Sequence, residues 1–433
     1  MLHSMNEQKN AKKEKRIKPE LPGGFRDYGL AKAAAKQKIM DTARGVFEKY
    51  GFEPLFTSAA QKTEVLTGGE EESKKIIFGI CGSEEEKSEN SLRFDLTVPL
   101  ARFVSANLDA PRPYKRYEIG RAWRGERQQT GRYREFTQAD ADIVGTSSPD
   151  ADAEVLAIVN KILTSLKIEN FSLRVNFRNE SKRIMEEFDI KKENQAPTFV
   201  EVDKKDKLPY EKWEENVKKA SGLNTENAKK YIERISGKKS IPAEFENIKS
   251  RALKLGVAAD KLDYNASLVR GFAYYTGIVF ETILQGAEKI GSIAGGGRYD
   301  NLVEKFTGQK IPAVGCSLGV DRLLAALESA GQKIPTESSA KVLFMNLLED
   351  AGEINLWAQE LRAQNINTDV YMGESRDLKA QLAYALKKEI PLVVIYGEDE
   401  KKKRTVVVKN LRTQEQKKIA KDELIEYIVK EIK

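Results

Sequence analysis

Histidine is almost missing from this chain: of 433 residues only His3 is one, and it lies in a polar stretch near the start. A histidine general base or a histidine-ligated zinc in a folded core is therefore excluded. Cysteine is nearly as scarce. Cys81 and Cys316 are too few for a disulfide framework or a cysteine zinc site. No apolar run approaches the roughly 20 residues of a bilayer-spanning helix. The first 16 residues also lack the apolar centre of a secretory signal, so a cytoplasmic location without membrane contact is expected. There is no GxxxxGK[ST] loop and no strand-linked GxGxxG, which disfavours ATP use through either of those folds.

What is present is charge. Lysine and arginine number 73 against 66 acids, a net +7, and 40% of the residues are hydrophobic. A chain of this size buries substantial cores and divides naturally into two or three domains. Its basic balance suits an anionic partner, although many proteins without one are as basic.

Residues 1–18 read as a basic flexible tail, and 19–332 as an α+β domain with a largely antiparallel sheet. Helix periodicity marks 31–50, 97–107 and 151–166, and strand character marks 114–123, 133–144, 171–176, 266–270 and 277–282. A short hairpin is expected from 76–80 and 91–95, and a helix near 299–306. The charged helical stretch 179–259 is a candidate inserted domain, with a helical hairpin of the main domain as the other reading. After a linker at 333–340, four strands alternating with helices over 341–433 describe an α/β domain with a mixed sheet.

Along 133–144, period-2 alternation places Phe136, Gln138, Asp140 and Asp142 on one face, opposite Tyr133, Glu135, Thr137 and Ala139. One aromatic, one amide and two acids make a poor core and a plausible floor for a polar cleft. Arg121, Arg124, Arg127 and Arg132 flank the preceding loop, and Arg322 lies at a helix start. Guanidinium groups bind phosphate through paired charge-assisted hydrogen bonds. The same arginines would also serve a solvated hairpin pairing with Glu126 and Glu135. Gly295-Gly296-Gly297 allows either close backbone approach or a tight turn. Tyr274 and Tyr275 suit packing or ligand contact equally well.

These residues carry a resemblance to class II aminoacyl-tRNA synthetases, and more specifically to the histidyl enzymes. Gly51-Phe52-Glu53-Pro54 resembles the first class motif. Trp123-Arg124-Gly125-Glu126-Arg127, continuing through Gly131-Arg132-Tyr133-Arg134-Glu135-Phe136, resembles the second. Leu92-Arg93-Phe94-Asp95-Leu96-Thr97-Val98-Pro99 is similar to a histidine-site segment. Leu268-Val269-Arg270-Gly271 followed by Tyr274-Tyr275-Thr276-Gly277 is similar to the histidyl signature. Gly295-Gly296-Gly297-Arg298-Tyr299-Asp300 and Gly319-Val320-Asp321-Arg322 complete the set, in family order, from Pro22 onward.

The resemblance implies a class II catalytic domain followed by an anticodon-binding domain, with L-histidine, ATP with Mg²⁺, and tRNA(His) as reactants and a homodimer as the assembly. Asp95, Thr97 and Gln138 would hold the α-amino group, and Asp142 with Tyr275, beside Tyr274, would read the imidazole. Arg124 and Arg270 would act at the α-phosphate or carboxylate. Arg132 and Arg322 would bind the distal phosphates, Phe136 would stack on adenine, and Glu126 would contact its amine. Arg127 and Gln129 would approach the tRNA acceptor end, and Pro54 would lie at the dimer interface. Which residues, if any, would ligate a metal is left unknown by the resemblance.

Three positions depart from the family pattern. Ala273 stands in place of an acid, Gln128 in place of a proline, and Thr137 in place of a histidine or aromatic. Loss of the acid at Ala273 is expected to remove a hydrogen bond supporting the 270–275 segment and to lower activity. The alternative function is that of a non-catalytic regulatory paralogue in histidine biosynthesis. Such paralogues generally lack the C-terminal domain that this chain carries.

Overall fold

The computed structural model describes residues 17–68, 76–82, 89–205, 208–237, 241–269, 275–336 and 338–432. The chain divides into two units, Met1–Ile334 and Pro335–Lys433. Among the described residues no helix is long and apolar enough to cross a membrane.

The first unit is built on an eight-stranded sheet. Its strands are β1 (Glu53–Pro54), β5 (Tyr114–Trp123), β6 (Glu135–Val144), β7 (Phe171–Phe177), β8 (Leu262–Tyr264), β9 (Ile278–Leu284), β10 (Ala294–Arg298) and β11 (Ala313–Gly319), in the order β1-β5-β6-β11-β10-β9-β7-β8. All central pairings are antiparallel, and only the short edge strands β1 and β8 run parallel to their neighbours. A small second sheet, β2 (Ala60–Lys62), β4 (Asn90–Leu92) and β3 (Phe78–Ile80), contains the expected hairpin plus one strand not foreseen.

Helix Leu30–Lys49 forms from an Ala-rich stretch with few breakers, and it buries Ala35, Ile39, Ala43, Val46 and Phe47 along one stripe. Helix Pro149–Ser165 starts where the Ser148 side chain accepts from the Asp150 amide and Pro149 occupies the first turn. Both share a core with the sheet, and Ala139, Ala141 and Ile143 of β6 point into it. The expected alternation along β6 is thus present, leaving Gln138, Asp140 and Asp142 for the opposite face. Among the described residues five α-helices lie between β7 and β8, from Arg178 to Lys254, and their Trp213, Tyr231, Ile232 and Phe245 belong to that same continuous core.

Two local expectations fail, and one left open is decided. No strand covers 266–269: the Asn265 side chain accepts from the Ser267 amide and hydroxyl, closing a turn, while Asn176 donates to the Ala266 and Leu268 carbonyls. The helix near 299–306 is reduced to Glu304–Thr307. The glycine run is not a tight turn but the middle of β10, flanked by β9 and β11. A Cβ on Gly296 would lie 2.0 Å from the Gly315 carbonyl oxygen, so the close approach of strands is what requires glycine here.

The second unit has a mixed sheet in the order β13-β12-β14-β15-β16, comprising β12 (Val342–Asn346), β13 (Thr368–Val370), β14 (Leu392–Tyr396), β15 (Thr405–Asn410) and β16 (Gln416–Ala420). Strand β12 pairs parallel with β13 and β14, and the rest is antiparallel. Val342 and Phe344 face the helices Gly352–Ala363 and Leu424–Ile432, while Leu343 and Met345 face Leu378–Lys387. Inside this unit Gln381 is fully buried. It accepts from the Asn346 amide at 2.8 Å and donates to the Asn346 carbonyl at 2.8 Å and the Ser375 carbonyl at 2.9 Å. Gln381→Leu strands these backbone groups and is expected to cost about 2–4 kcal/mol. Hydrogen exchange over residues 335–433 measures it, and a loss below about 1 kcal/mol contradicts the assignment.

Candidate active site

Strands β5 and β6 lie in a register that pairs Arg116 with Asp142, Glu118 with Asp140, Gly120 with Gln138 and Ala122 with Phe136. Side chains of these pairs share one face of the sheet. Strand β11 then lays Gly315 beside Asp142 and Ser317 beside Asp140. Together they floor a cleft lined by Thr97, Asp140, Asp142, Tyr275, Tyr299 and Ser317, with the β10 glycines and Gly315 making room for it.

The acids of this floor are buried. Asp142 is 3% exposed and Asp140 1%. The Asp142 carboxylate accepts from the Tyr299 hydroxyl through one oxygen. Its other oxygen ion-pairs with an Arg116 nitrogen at 2.8 Å, at an angle outside hydrogen-bond geometry. Burial pushes the Asp140 carboxyl well above its usual range, and the neighbouring Asp142 pushes it the same way. Burial also raises Asp142, against the opposing pull of Arg116.

Asp95 sits just ahead of the helix Thr97–Ala106, where its Oδ1 accepts from the Val98 amide at 3.0 Å. Burial raises its carboxyl, opposed by that hydrogen bond and by Arg124. Gln138 donates to the Ser317 hydroxyl at 2.5 Å. Among the described residues, Asp95 Oδ2, Gln138 Oε1 and Asp140 Oδ1 are buried acceptors with no hydrogen-bond partner. Unmet acceptors of this kind suit a ligand that brings N–H groups.

Arg124 donates to the Phe94 carbonyl at 3.0 Å, and its guanidinium lies 5.0 Å from the Phe136 ring centroid. Arg132 pairs loosely with Glu126 at 4.0 Å, both partly exposed. Arg322 donates to the Ser292 carbonyl at 2.9 Å. Arg127 and Gln129 are exposed in the loop between β5 and β6. Arg121 points the other way, 66% exposed and paired with Glu135 at 3.4 Å, so for this arginine the solvated-hairpin reading holds. Pro54 is exposed on the edge strand β1, near Phe56, which is 82% exposed. Thr137 is buried on the far face, where its amide donates to Asp321. Arg270, Ala273 and Tyr274 lie outside the described residues.

The sequence reading missed Arg116, Tyr299 and Ser317. Arg116 and Glu118 have the same period-2 spacing as Gln138, Asp140 and Asp142, a signal that strand pairing turns into contact. Among the described residues no group of three or more His, Cys, Asp or Glu side chains is placed to hold a metal ion.

Residues 24–323 match the family model described as histidyl-tRNA synthetase. This chain belongs to the histidyl-tRNA synthetase family. Residues 345–431 match the model of an anticodon binding domain. A histidine–tRNA ligase of Helicobacter hepaticus is 37% identical over 422 residues, 91% of this chain and 95% of that one. The ligase of Rhodopirellula baltica is 34% identical over 428 residues, 93% of this chain and 96% of that one. Among solved structures, histidyl-tRNA synthetase from Nostoc superimposes with a TM-score of 0.84 at 30% identity, covering 96% of this chain and all of that one. A structure described as an ATP phosphoribosyltransferase regulatory subunit/histidyl-tRNA synthetase from Bacillus halodurans has a TM-score of 0.69 at 21% identity and shares the fold. The family's α+β catalytic domain and mixed-sheet C-terminal domain are both present here.

Proposed function

We propose that the cleft on β6 and β11 is the histidine-activation site of a histidine–tRNA ligase. The chain activates L-histidine with ATP, giving histidyl-adenylate and pyrophosphate, and then transfers the histidyl group to the terminal adenosine of tRNA(His). The observation that carries this reading is the set of buried acceptors at Asp95, Gln138 and Asp140, unpartnered among the described residues, around a cleft lined by Asp142 and Tyr275. An amino acid with an ammonium group and a ring N–H supplies the missing donors.

Asp95, Thr97 and Gln138 bind the α-amino end, while Asp142 and Tyr275 read the imidazole, with Tyr274 beside them. Arg124 and Arg270 grip the α-phosphate and carboxylate, and Arg132 and Arg322 the distal phosphates. Phe136 stacks on the adenine and Glu126 contacts its amine. The histidine carboxylate attacks the α-phosphorus, and the pyrophosphate leaves with the bridging electron pair. The 3′-hydroxyl of the tRNA then attacks the carbonyl carbon and AMP leaves. The protein's part is positioning and charge stabilisation, with no protein nucleophile. Mg²⁺ enters bound to the phosphates of ATP as part of that substrate.

The test is histidine-dependent exchange of labelled pyrophosphate into ATP, followed by charging of tRNA(His). Absence of histidine-dependent exchange rules the reading out in favour of the regulatory paralogue. Asp142→Ala is expected to raise the histidine KM by about 30- to 100-fold and leave the ATP KM nearly unchanged, because it removes one polar contact to the ring. An unchanged histidine KM removes Asp142 from that role.

The reading carries with it a homodimer through the β1 edge, where Pro54 and Phe56 are exposed, and a cytoplasmic location. Mass measured across a dilution series is expected to show the dimer at micromolar concentration; a monomer throughout counts against it.

A further inference from the structure

Arg116 is fully buried, a costly place for a guanidinium. One of its nitrogens, Nη2, does two things: it approaches Asp142 Oδ2 at 2.8 Å and donates to the Leu96 carbonyl at 3.0 Å. Leu96 is the residue between Asp95 and Thr97. A single nitrogen therefore ties the wall that carries Asp142 to the segment that carries Asp95 and Thr97.

Asp140 and Glu118 also act on Arg116 electrostatically, but among the described residues neither forms a hydrogen bond with it. Glu118 lies 3.8 Å away and is already engaged by Arg93 at 2.6 Å and by the Thr57 amide and hydroxyl at 3.2 and 2.9 Å. Among the described residues Arg116 Nε and Nη1 have no hydrogen-bond partner. An arginine kept only to join β5 to β6 would be redundant, because those strands already pair along all ten residues, from Tyr114 opposite Val144 to Trp123 opposite Glu135. An apolar side chain of similar volume would fill the same space without the desolvation cost.

We infer that Arg116 is a positioning residue for histidine recognition: it fixes the Asp142 carboxylate and, through the Leu96 carbonyl, the Asp95–Thr97 turn in the arrangement that receives the amino acid. This rests on the reading of the cleft as the histidine pocket. Arg116 touches no reacting atom. It acts through Asp142 and the Leu96 carbonyl, so its loss is felt in the binding of histidine and not in that of ATP.

The experiment is steady-state pyrophosphate exchange on the full chain with Arg116→Met, Arg116→Lys, Asp142→Asn and the Arg116→Met/Asp142→Asn double variant. Arg116→Met is expected to raise the histidine KM about thirtyfold or more, with the ATP KM within about twofold. Arg116→Lys keeps the charge but loses the guanidinium fork, and is expected to recover part of the loss. The double variant is expected to be little worse than the poorer single variant, because both act on one contact.

A wild-type histidine KM in Arg116→Met overturns the inference. So does an equal rise in both KM values, or a double variant whose losses multiply. Should Arg116→Met fail to fold, Arg116→Lys decides: a severalfold higher histidine KM at near-native thermal stability supports the role, and an unchanged KM overturns it. A wild-type chain without histidine-dependent exchange refutes the parent reading instead, whereas normal wild-type exchange with indifferent Arg116 variants refutes this inference alone.

Discussion

Gly315→Ala is expected to lower kcat/KM for histidine in pyrophosphate exchange by about 10²- to 10³-fold. The methyl group would stand 1.9 Å from Asp142 Oδ1 and 2.7 Å from its Cγ, with the Ala141 carbonyl at 3.1 Å closing off retreat. Asp142 cannot simply swing aside, because Tyr299 and Arg116 hold its two oxygens. Either the carboxylate leaves its place or β11 moves away from β6, and both outcomes deform the cleft. The contrast is Gly45→Ala in the helix Leu30–Lys49, where a Cβ meets nothing within 4 Å. That change is expected to be neutral or slightly stabilising and to leave exchange intact. Thermal unfolding separates a collapsed fold from a blocked site. Activity of Gly315→Ala within tenfold of the parent, in a folded protein, would show that Asp142 need not stand where it does.

The cleft was half legible before the fold was known. The floor along β6 could be read because Ala139, Ala141 and Ile143 alternate with Gln138, Asp140 and Asp142, and only one of those sets can form a core. The Lys115–Arg121 stretch of β5 gave no such contrast. Lys115, Arg116, Glu118 and Arg121 all look like a solvated strand, yet Arg116 is sealed and Arg121 is open. Alternation puts them on opposite faces, but which face the β6 register and the Asp95–Thr97 turn cover is a tertiary fact. The β10 glycines stayed open between two readings for the same reason. Local rules favour a turn for three glycines, while crowding between β9 and β11 selects them for a flat central strand. In the second unit, β16 was missed because only Ile419 of Gln416–Ala420 is buried, so the strand carries almost no apolar pattern. The resemblance named the candidate pocket residues, but the partners that fix them came from pairing.

Arg270→Ala is expected to lower kcat for exchange by about 10³-fold, with the KM values for histidine and ATP changed far less. The reasoning is electrostatic. A carboxylate must approach an α-phosphate that is itself negative, and negative charge accumulates on the phosphate oxygens as the bond to pyrophosphate breaks. Cations aimed at that charge lower the barrier most when they are already in place. In the proposed reading Arg124 meets that condition from one side, held by the Phe94 carbonyl at 3.0 Å, with its guanidinium 5.0 Å from the Phe136 ring centroid. The nearby acids do not help: Asp95, Asp140 and Asp142 suit the donors of histidine and would repel the phosphate. A second guanidinium is therefore needed at the reacting centre, and the family resemblance assigns it to Arg270. Arg270→Lys keeps the charge without the bidentate fork and is expected to retain an intermediate rate. The resemblance places an acid where this chain has Ala273, so Ala273→Glu is expected to raise kcat modestly, by about two- to fivefold. Arg270→Ala with kcat within tenfold of the parent would sink the assignment, and a loss confined to the ATP KM would move Arg270 to nucleotide binding alone.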